Sequence, residues 1–209
     1  MVPAARRQFL ALCAGVLATT GAGCVDDETS PGPDDDPVGP DEEDVITDVA
    51  THVSRLDVDL GTHESVLSYE EAPDEQVWER RLPYVIDDDD ADALVVDPRP
   101  ENIEGVRAFL QDTDYDEETV LAFDFDVSAC HRSAVMYVER RSSDRLTPQF
   151  CRTTRDPMIE CSTDSRHRQL TLIRVPEAYD RPPSGHGRGE SANCRLPPGH
   201  PDRNEGERR

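Results

Sequence analysis

The chain has 209 residues, a formal net charge of −23 and no lysine, so all 22 of its basic residues are arginines. This length suits one domain with appendages, and the excess of Asp and Glu argues against nucleic-acid binding, because a polyanionic duplex requires a basic face. A strongly acidic surface repels itself, and dissolved salt weakens that repulsion.

The first 23 residues have the layout of an export signal. Arg6 and Arg7 form a basic start, residues 9–18 are apolar, and small residues precede Cys24. The apolar run is shorter than the roughly 20 residues of a membrane span, which favours a signal peptide. The paired arginines resemble the twin-arginine export motif, and the residues before Cys24 resemble a lipobox, although Gly21 stands where leucine is preferred. We therefore expect lipidation of Cys24; the alternative is a plain cleaved signal or a short uncleaved anchor.

Residues 24–49 are predicted to form an acidic, proline-rich, disordered tether. From residue 25 onward this segment carries eleven acids, no base and four prolines. Such a segment repels itself and has too few apolar residues for a core. It would hold a globular domain, residues 50–181, away from the membrane. The tail, residues 182–209, is predicted to be irregular, with Cys194 as the candidate attachment to the domain.

Short apolar stretches open the domain. Residues 53–60 alternate weakly between apolar and polar side chains and could start a strand. Residues 82–86 and 94–96 are two further brief apolar runs. Between the last two lies a run of aspartates, residues 87–90. Calcium prefers several carboxylate oxygens, but the run lacks the spacing of an EF-hand, and a solvated acidic turn is the preferred interpretation.

One helix is predicted over residues 101–111. Ile103, Val106, Phe109 and Leu110 recur at spacings of three and four, which places them on one helical face. Pro100 directly before the segment suits a helix N-terminus.

Beyond the helix the periodicity changes to two. Leu121, Phe123, Phe125 and Val127 alternate with smaller or acidic residues, a pattern typical of a half-buried strand. Such evenly spaced short strands predict a mainly β fold, an antiparallel sandwich or small barrel with one short helix before the main strands; the alternative is α+β. The further candidate strands are residues 134–139, 146–152, 158–161 and 169–175.

Four cysteines remain once Cys13 of the signal and the predicted lipidation site Cys24 are set aside: Cys130, Cys151, Cys161 and Cys194. In an exported domain they indicate two disulfides, whereas the close cysteine pairs of a zinc site are missing. Cys151 and Cys161 are equally distant from Asp156, so a hairpin centred there would place them opposite one another. This predicts the pairs Cys151–Cys161 and Cys130–Cys194, the second of which would fasten the tail.

The strand region is rich in arginine: it contains Arg132, Arg140, Arg141, Arg145, Arg152, Arg155, Arg166 and Arg168. Guanidinium groups suit carboxylates and other anions, but they also neutralise neighbouring acids, which is the preferred interpretation on so acidic a chain.

No hydrolase, phosphate-loop or dinucleotide motif is present in the sequence. No catalytic, metal or cofactor-binding residue is therefore assigned, no cofactor is expected, and the interpretation leans away from an enzyme.

Two resemblances follow from these residues. The acidic, lysine-free composition and the twin-arginine signal, with residues 109–116 (FLQDTDYD) and 118–123 (ETVLAF), resemble uncharacterised secreted lipoproteins of halophilic archaea. Residues 101–176 are similar in layout to the PrcB-type β-rich domain, although residues 128–131 replace the glycine-rich segment expected after its first strand. The second resemblance implies an association with proteases, and the first implies no particular activity.

The sequence thus predicts a non-enzymatic lipoprotein, secreted and anchored to the outer face of the cell membrane. It would present a disulfide-braced β-rich interaction module, with the membrane as one partner and an envelope protein as a candidate second. A solute- or cation-binding surface receptor is the alternative, and it would require a concave pocket with convergent polar groups.

Overall fold

The computed structural model of the chain describes residues 39–57, 65–69 and 84–201. The predicted signal peptide with Arg6 and Arg7, the predicted lipidation site Cys24 and most of the predicted tether lie outside the described residues. The mainly β prediction is confirmed, because 45% of the described residues lie in strands and 13% in helices.

The elements follow one another in this order: a 3-10 turn Glu42–Asp44, β1 Val45–Ile46, β2 Ala50–Leu56, β3 Leu67–Tyr69, β4 Tyr84–Val85, α1 Asp88–Asp92, β5 Leu94–Val96, α2 Ile103–Gln111, β6 Thr119–Ser128, β7 His131–Ser142, β8 Arg145–Thr154, β9 Arg166–Val175, β10 Gly185–His186 and β11 Gly189–Ser191.

Most strands belong to two sheets that share a core. The central sheet has the order β2–β9–β6–β4 and is antiparallel throughout. The outer sheet has the order β1–β7–β8–β10, and β11 also pairs with β8. A two-stranded sheet, β3 with β5, is separate from both. The sheets do not close into a barrel, and the arrangement is that of a sandwich.

The central sheet is buried on both faces. On one face Leu121 and Ile173 pack with Val138, Leu146 and Phe150 of the outer sheet. The opposite face forms a second apolar cluster with α2 and the small sheet. Strand β6 was predicted to be half-buried, yet its first residues carry apolar side chains on both sides, because a second layer covers the face away from the outer sheet.

The predicted helix is confirmed as α2. Val106 and Leu110 are buried in the core, and Ile103 and Phe109 pack against it. Asn102, the residue before the helix, has a left-handed backbone with φ 60°. The four residues that the spacing placed on one face therefore do face the central sheet.

The aspartate run begins a short helix. The Asp87 carboxylate accepts a hydrogen bond from the Asp90 amide at 2.7 Å, and the first turn of α1 is wholly acidic. Acids near a helix N-terminus meet the free amides and the positive end of the helix dipole. The capping of a short helix therefore explains this run of aspartates, which the sequence analysis assigned to a solvated acidic turn.

Two predicted boundaries require correction. The sheet starts at Val45 rather than at residue 50, because β1 pairs with β7 and Ile46 packs against the core between the sheets. The tether was predicted from the many acids of residues 24–49, and the short apolar pair Val45–Ile46 was not taken into account. Likewise the tail is not irregular throughout, since β10 and β11 pair with β8 in parallel. Residues 158–161, predicted as a strand, form none.

The predicted disulfide pairs are wrong. The bridges are Cys130–Cys161 and Cys151–Cys194. The expected hairpin around Asp156 does not exist, because β8 pairs with β7 whereas the next strand, β9, belongs to the central sheet. Cys151 instead lies opposite Ser191 of β11, which brings Cys194 within reach. The predicted attachment of the tail through Cys194 is confirmed.

Replacing Cys130 and Cys161 together by serine should lower the free energy of unfolding by about 4 kcal/mol, because the bridge closes a 31-residue separation. Urea unfolding of the oxidised protein measures this loss, and Met158→Ala, at an exposed position of the crossing segment, is the control with an unchanged midpoint. Proteolysis without reduction should release a peptide pair joining Cys130 to Cys161. A pair joining Cys151 to Cys161 would contradict the structure.

Candidate functional site

Two arginine side chains converge on the turn that joins the two sheets, Ser128–His131, which we name the braced turn. The guanidinium of Arg55, from the edge strand β2, donates to the carbonyl oxygen of His131 at 2.8 Å. It also donates to the carbonyls of Ser128 at 3.1 Å and Ala129 at 3.2 Å. Arg55 is only 7% exposed, so these bonds satisfy backbone groups in a largely water-free position.

Asp57 balances the charge beside the braced turn. Its carboxylate accepts from the Arg55 Nε at 2.6 Å and lies 2.7 Å from the His167 Nδ1. The Arg155 guanidinium approaches the other carboxylate oxygen at 3.3 Å and donates to the Ala129 carbonyl at 3.1 Å. One carboxylate therefore faces two arginines and a histidine.

Burial and charge act in opposite senses on this group. Burial raises the pKa of the Asp57 carboxyl, but hydrogen bonds from Arg55 and His167 outweigh it and hold the pKa below its usual range. Burial lowers the pKa of Arg55, and the nearby guanidinium of Arg155 lowers it further. Asp57 therefore stays ionised through the neutral range and keeps the two guanidiniums compensated.

A cavity of about 440 Å³ lies beside the braced turn, between β2 of the central sheet and the start of β7. Arg55, Arg132 and Arg155 line it together with Ser133 and Gln169. A site of this kind, concave and with few convergent polar groups, is suited to a small ligand.

Gln169 closes the edge of the outer sheet behind this cavity. Its side-chain amide donates to the Ser133 carbonyl at 2.7 Å and accepts from the Ser133 amide at 3.1 Å. It thereby occupies backbone groups on the edge of β7, where β1 pairs only with residues 138–139. A satisfied edge is protected against pairing with another chain.

A second, smaller cavity of about 230 Å³ adjoins the first and shares Arg132 and Ser133 with it. Arg152, Arg166 and Arg188 also line it. The Arg188 guanidinium lies 4.0 Å from the centre of the Phe125 ring, a stacking distance typical of cation–π contacts. Positive charge is thus concentrated at this end of an otherwise acidic molecule.

The structure divides seven of the eight arginines singled out in the sequence into two groups, and Arg145 belongs to neither. Four of them form ion pairs, which agrees with the neutralising interpretation: Arg140 with Glu177, Arg141 with Glu139, Arg155 with Asp57, and Arg168 with Asp124 and Asp126. Three others, Arg132, Arg152 and Arg166, meet around the smaller cavity. The sequence had offered no means of separating these two groups.

The central residues of the site were missed by the sequence analysis. Arg55 and His167 are 112 positions apart, and only the pairing of β2 with β9 brings them together. Gln169 lay within a predicted strand with no sign of its cross-sheet role. The one available signal was a charged residue, Arg55, beside the apolar Leu56 in a weakly alternating segment.

Three further observations concern a nucleophilic cysteine, metal binding and membrane spanning. Cys130 is bonded to Cys161, so its sulfur is not available as a nucleophile. Among residues 39–57, 65–69 and 84–201 no three His, Cys, Asp or Glu side chains are grouped so as to hold a metal ion. In the same part of the chain no helix combines the length and apolar character needed to cross a bilayer.

The fold and its two bridges define a disulfide-braced, β-rich module with an arginine-lined end. No protein-family model, curated protein or solved structure matches the chain. Its function must therefore be argued from its own residues.

Replacing Arg55 by methionine should lower the free energy of unfolding by about 3 to 5 kcal/mol, because it leaves Asp57 partly unpaired and three backbone carbonyls without their donor. Urea unfolding measures the change. Arg99→Met is the matched control, since Arg99 pairs with Asp97 at a half-exposed position and such pairs contribute about 1 kcal/mol or less. Equal losses in both variants would show that the buried network is not a main source of stability.

Asp57 should also give the protein a specific response to acid. Its folded pKa lies below the unfolded value of about 3.9, so its contribution to stability is complete above that value and is lost as the pH falls through the folded pKa. The difference in unfolding free energy between the wild type and Asp57→Asn should therefore shrink below about pH 4. Urea midpoints measured from pH 6 to pH 2 test this, and a constant difference would contradict it.

Proposed function

We propose that the chain is a non-enzymatic lipoprotein, anchored to the outer face of the cell membrane through Cys24 and displaying its β-rich module for interaction with other envelope components. The observation that supports this most is the pair of disulfides. Disulfides persist in oxidising compartments and are rare in the cytosol, which agrees with the export signal of the sequence.

The positions of the bridges support an interaction role. Cys130–Cys161 joins the braced turn to the segment that crosses from β8 to β9, and Cys151–Cys194 joins β8 to the tail. Each bridge therefore holds a connecting segment rather than two strands of one sheet. Segments that are ordered before binding lose less conformational freedom on association. The two braced segments are therefore preorganised for binding a partner.

A solute-binding receptor is the second candidate. The observation in its favour is the cavity of about 440 Å³ beside the braced turn, where polar side chains converge from both sheets. A cation as the solute has less support, since the described residues contain no group of metal-ligating side chains.

Replacing Cys24 by serine should release the exported protein from membranes into the medium, because a membrane-bound lipid chain can no longer be attached. Immunoblots of membrane and medium fractions measure the distribution, and the mass of the mature N-terminus shows the lipid directly. Cys13→Ser is the matched control and should stay in the membrane fraction. Equal retention of both variants would contradict the lipid anchor while leaving the disulfide-braced module unaffected.

A further inference from the structure

We propose that the smaller cavity, which we name the arginine cavity, binds a dianionic oxyanion group, sulfate or phosphate. Its charged lining comes from separate parts of the chain: Arg132 and Arg152 from the outer sheet, Arg166 from β9 and Arg188 from the segment before β11. The proposal does not depend on the lipid anchor, because it concerns only side chains of the described module.

The charges around the arginine cavity do not balance. Two carboxylates line it, Asp126 and Glu190. Asp126 already accepts from Arg168 at 2.9 Å, and Glu190 accepts from Arg188 at 3.3 Å. No ion pair joins the other three arginines, Arg132, Arg152 and Arg166, to a carboxylate of the described residues.

This imbalance is unusual for the chain as a whole. The net charge is −23, and Asp and Glu outnumber arginine by about two to one. Several other strand arginines meet those acids directly, as Arg140 meets Glu177 and Arg168 meets Asp124. Arg132, Arg152 and Arg166 are exposed, so solvent and salt screen much of their mutual repulsion, and a bound anion would relieve the remainder.

Neutral polar groups in the lining also lack partners. The Nδ1 of His131 and the hydroxyl of Ser133 are buried, and neither makes a hydrogen bond within the described residues. Both residues line the arginine cavity. Solvent reaches neither atom, so both lie beneath the cavity surface, and the guanidiniums are the groups that would meet an anion.

The number and type of donors select the ligand class. A guanidinium is a planar fork that binds the oxygens of carboxylate or phosphate in pairs. A single carboxylate offers one negative charge and two oxygens, which engages one fork, whereas sulfate and phosphate carry about two charges on four oxygens. Three uncompensated arginines therefore favour the dianion. The volume of about 230 Å³ admits such a group with a few waters.

Arg188 separates the arginine cavity from the apolar core. Its guanidinium covers Phe125 at 4.0 Å and lies 6.0 Å from the centre of the Phe150 ring. The two rings pack edge to face at 5.3 Å and form the end of the core between the sheets. An anion bound outside Arg188 would therefore remain among polar groups.

Calorimetric titration of the full chain with inorganic sulfate, inorganic phosphate and acetate tests the proposal. Ionic strength is held constant with chloride, because salt screens such contacts. Sulfate and phosphate should bind at least tenfold more tightly than acetate. Equal affinity for all three ions would overturn the assignment.

The double variant Arg152→Gln/Arg166→Gln should weaken sulfate binding at least tenfold, and Arg107→Gln, an exposed position on α2, is the matched control with unchanged affinity. The double lysine variant at the same two positions keeps the charge but loses the forks, so it should bind with intermediate affinity. Circular dichroism confirms that each variant is folded. Wild-type affinity in the folded glutamine variant would place the anion elsewhere and refute the proposal.

The source of the anion is distinguished by comparing inorganic sulfate with galactose 6-sulfate. Tighter binding of the sugar indicates a sulfate group carried on a saccharide, and weaker binding indicates the free ion. Either result supports the arginine cavity, provided that the glutamine variant loses it. If neither compound binds more tightly than acetate, the proposal fails, and the membrane attachment tested through Cys24 is unaffected by that outcome.

Discussion

The structure depends on the three hydrogen bonds that the Arg55 guanidinium donates to the braced turn. That turn carries the chain from β6 of the central sheet to β7 of the outer sheet, and its carbonyl groups point into a position from which water is largely excluded. A single buried cation satisfies them, and Asp57 compensates the cation. Because burying a charge is expensive unless it is paired and hydrogen-bonded, the two residues act as a unit. Loss of Asp57 would leave the largely buried Arg55 guanidinium without its acid, whereas loss of Arg55 would leave Asp57 to Arg155 and His167.

The same end of the sandwich is reinforced by other means. The Cys130–Cys161 bridge, the Arg155 guanidinium and the Gln169 side chain each connect a loop or a strand of one sheet to a neighbouring segment. An acidic chain repels itself in the folded state, and covalent and buried polar links that do not depend on surface charge offset this. The resulting rigidity holds the arginines around two adjoining cavities in defined positions. The proposed anion site lies at this braced end of the module.

The periodicity of apolar residues predicted the elements well. Helix α2 was found from Ile103, Val106, Phe109 and Leu110, and strand β6 from the alternation that begins at Leu121. Both patterns are local, so a short window of sequence contains the information. The same window did not reveal the layer that covers the second face of β6. Asp124, expected in solvent, instead accepts hydrogen bonds from the Val66 amide at 2.6 Å and from Arg168 at 2.5 Å.

The sequence by itself determined the mainly β composition, the single amphipathic helix and the presence of an even number of cysteines for bridging, because each of these follows from residue types and their spacing. Only the tertiary structure decided which cysteines pair, where the sheet begins and which arginines remain without an acid. Cys151 pairs with Cys194 because β11 lies beside β8, and Arg55 reaches the braced turn because β2 lies beside β9. Strand order is set by the packing of the two sheets over their shared core, and residues more than a hundred positions apart become neighbours through it.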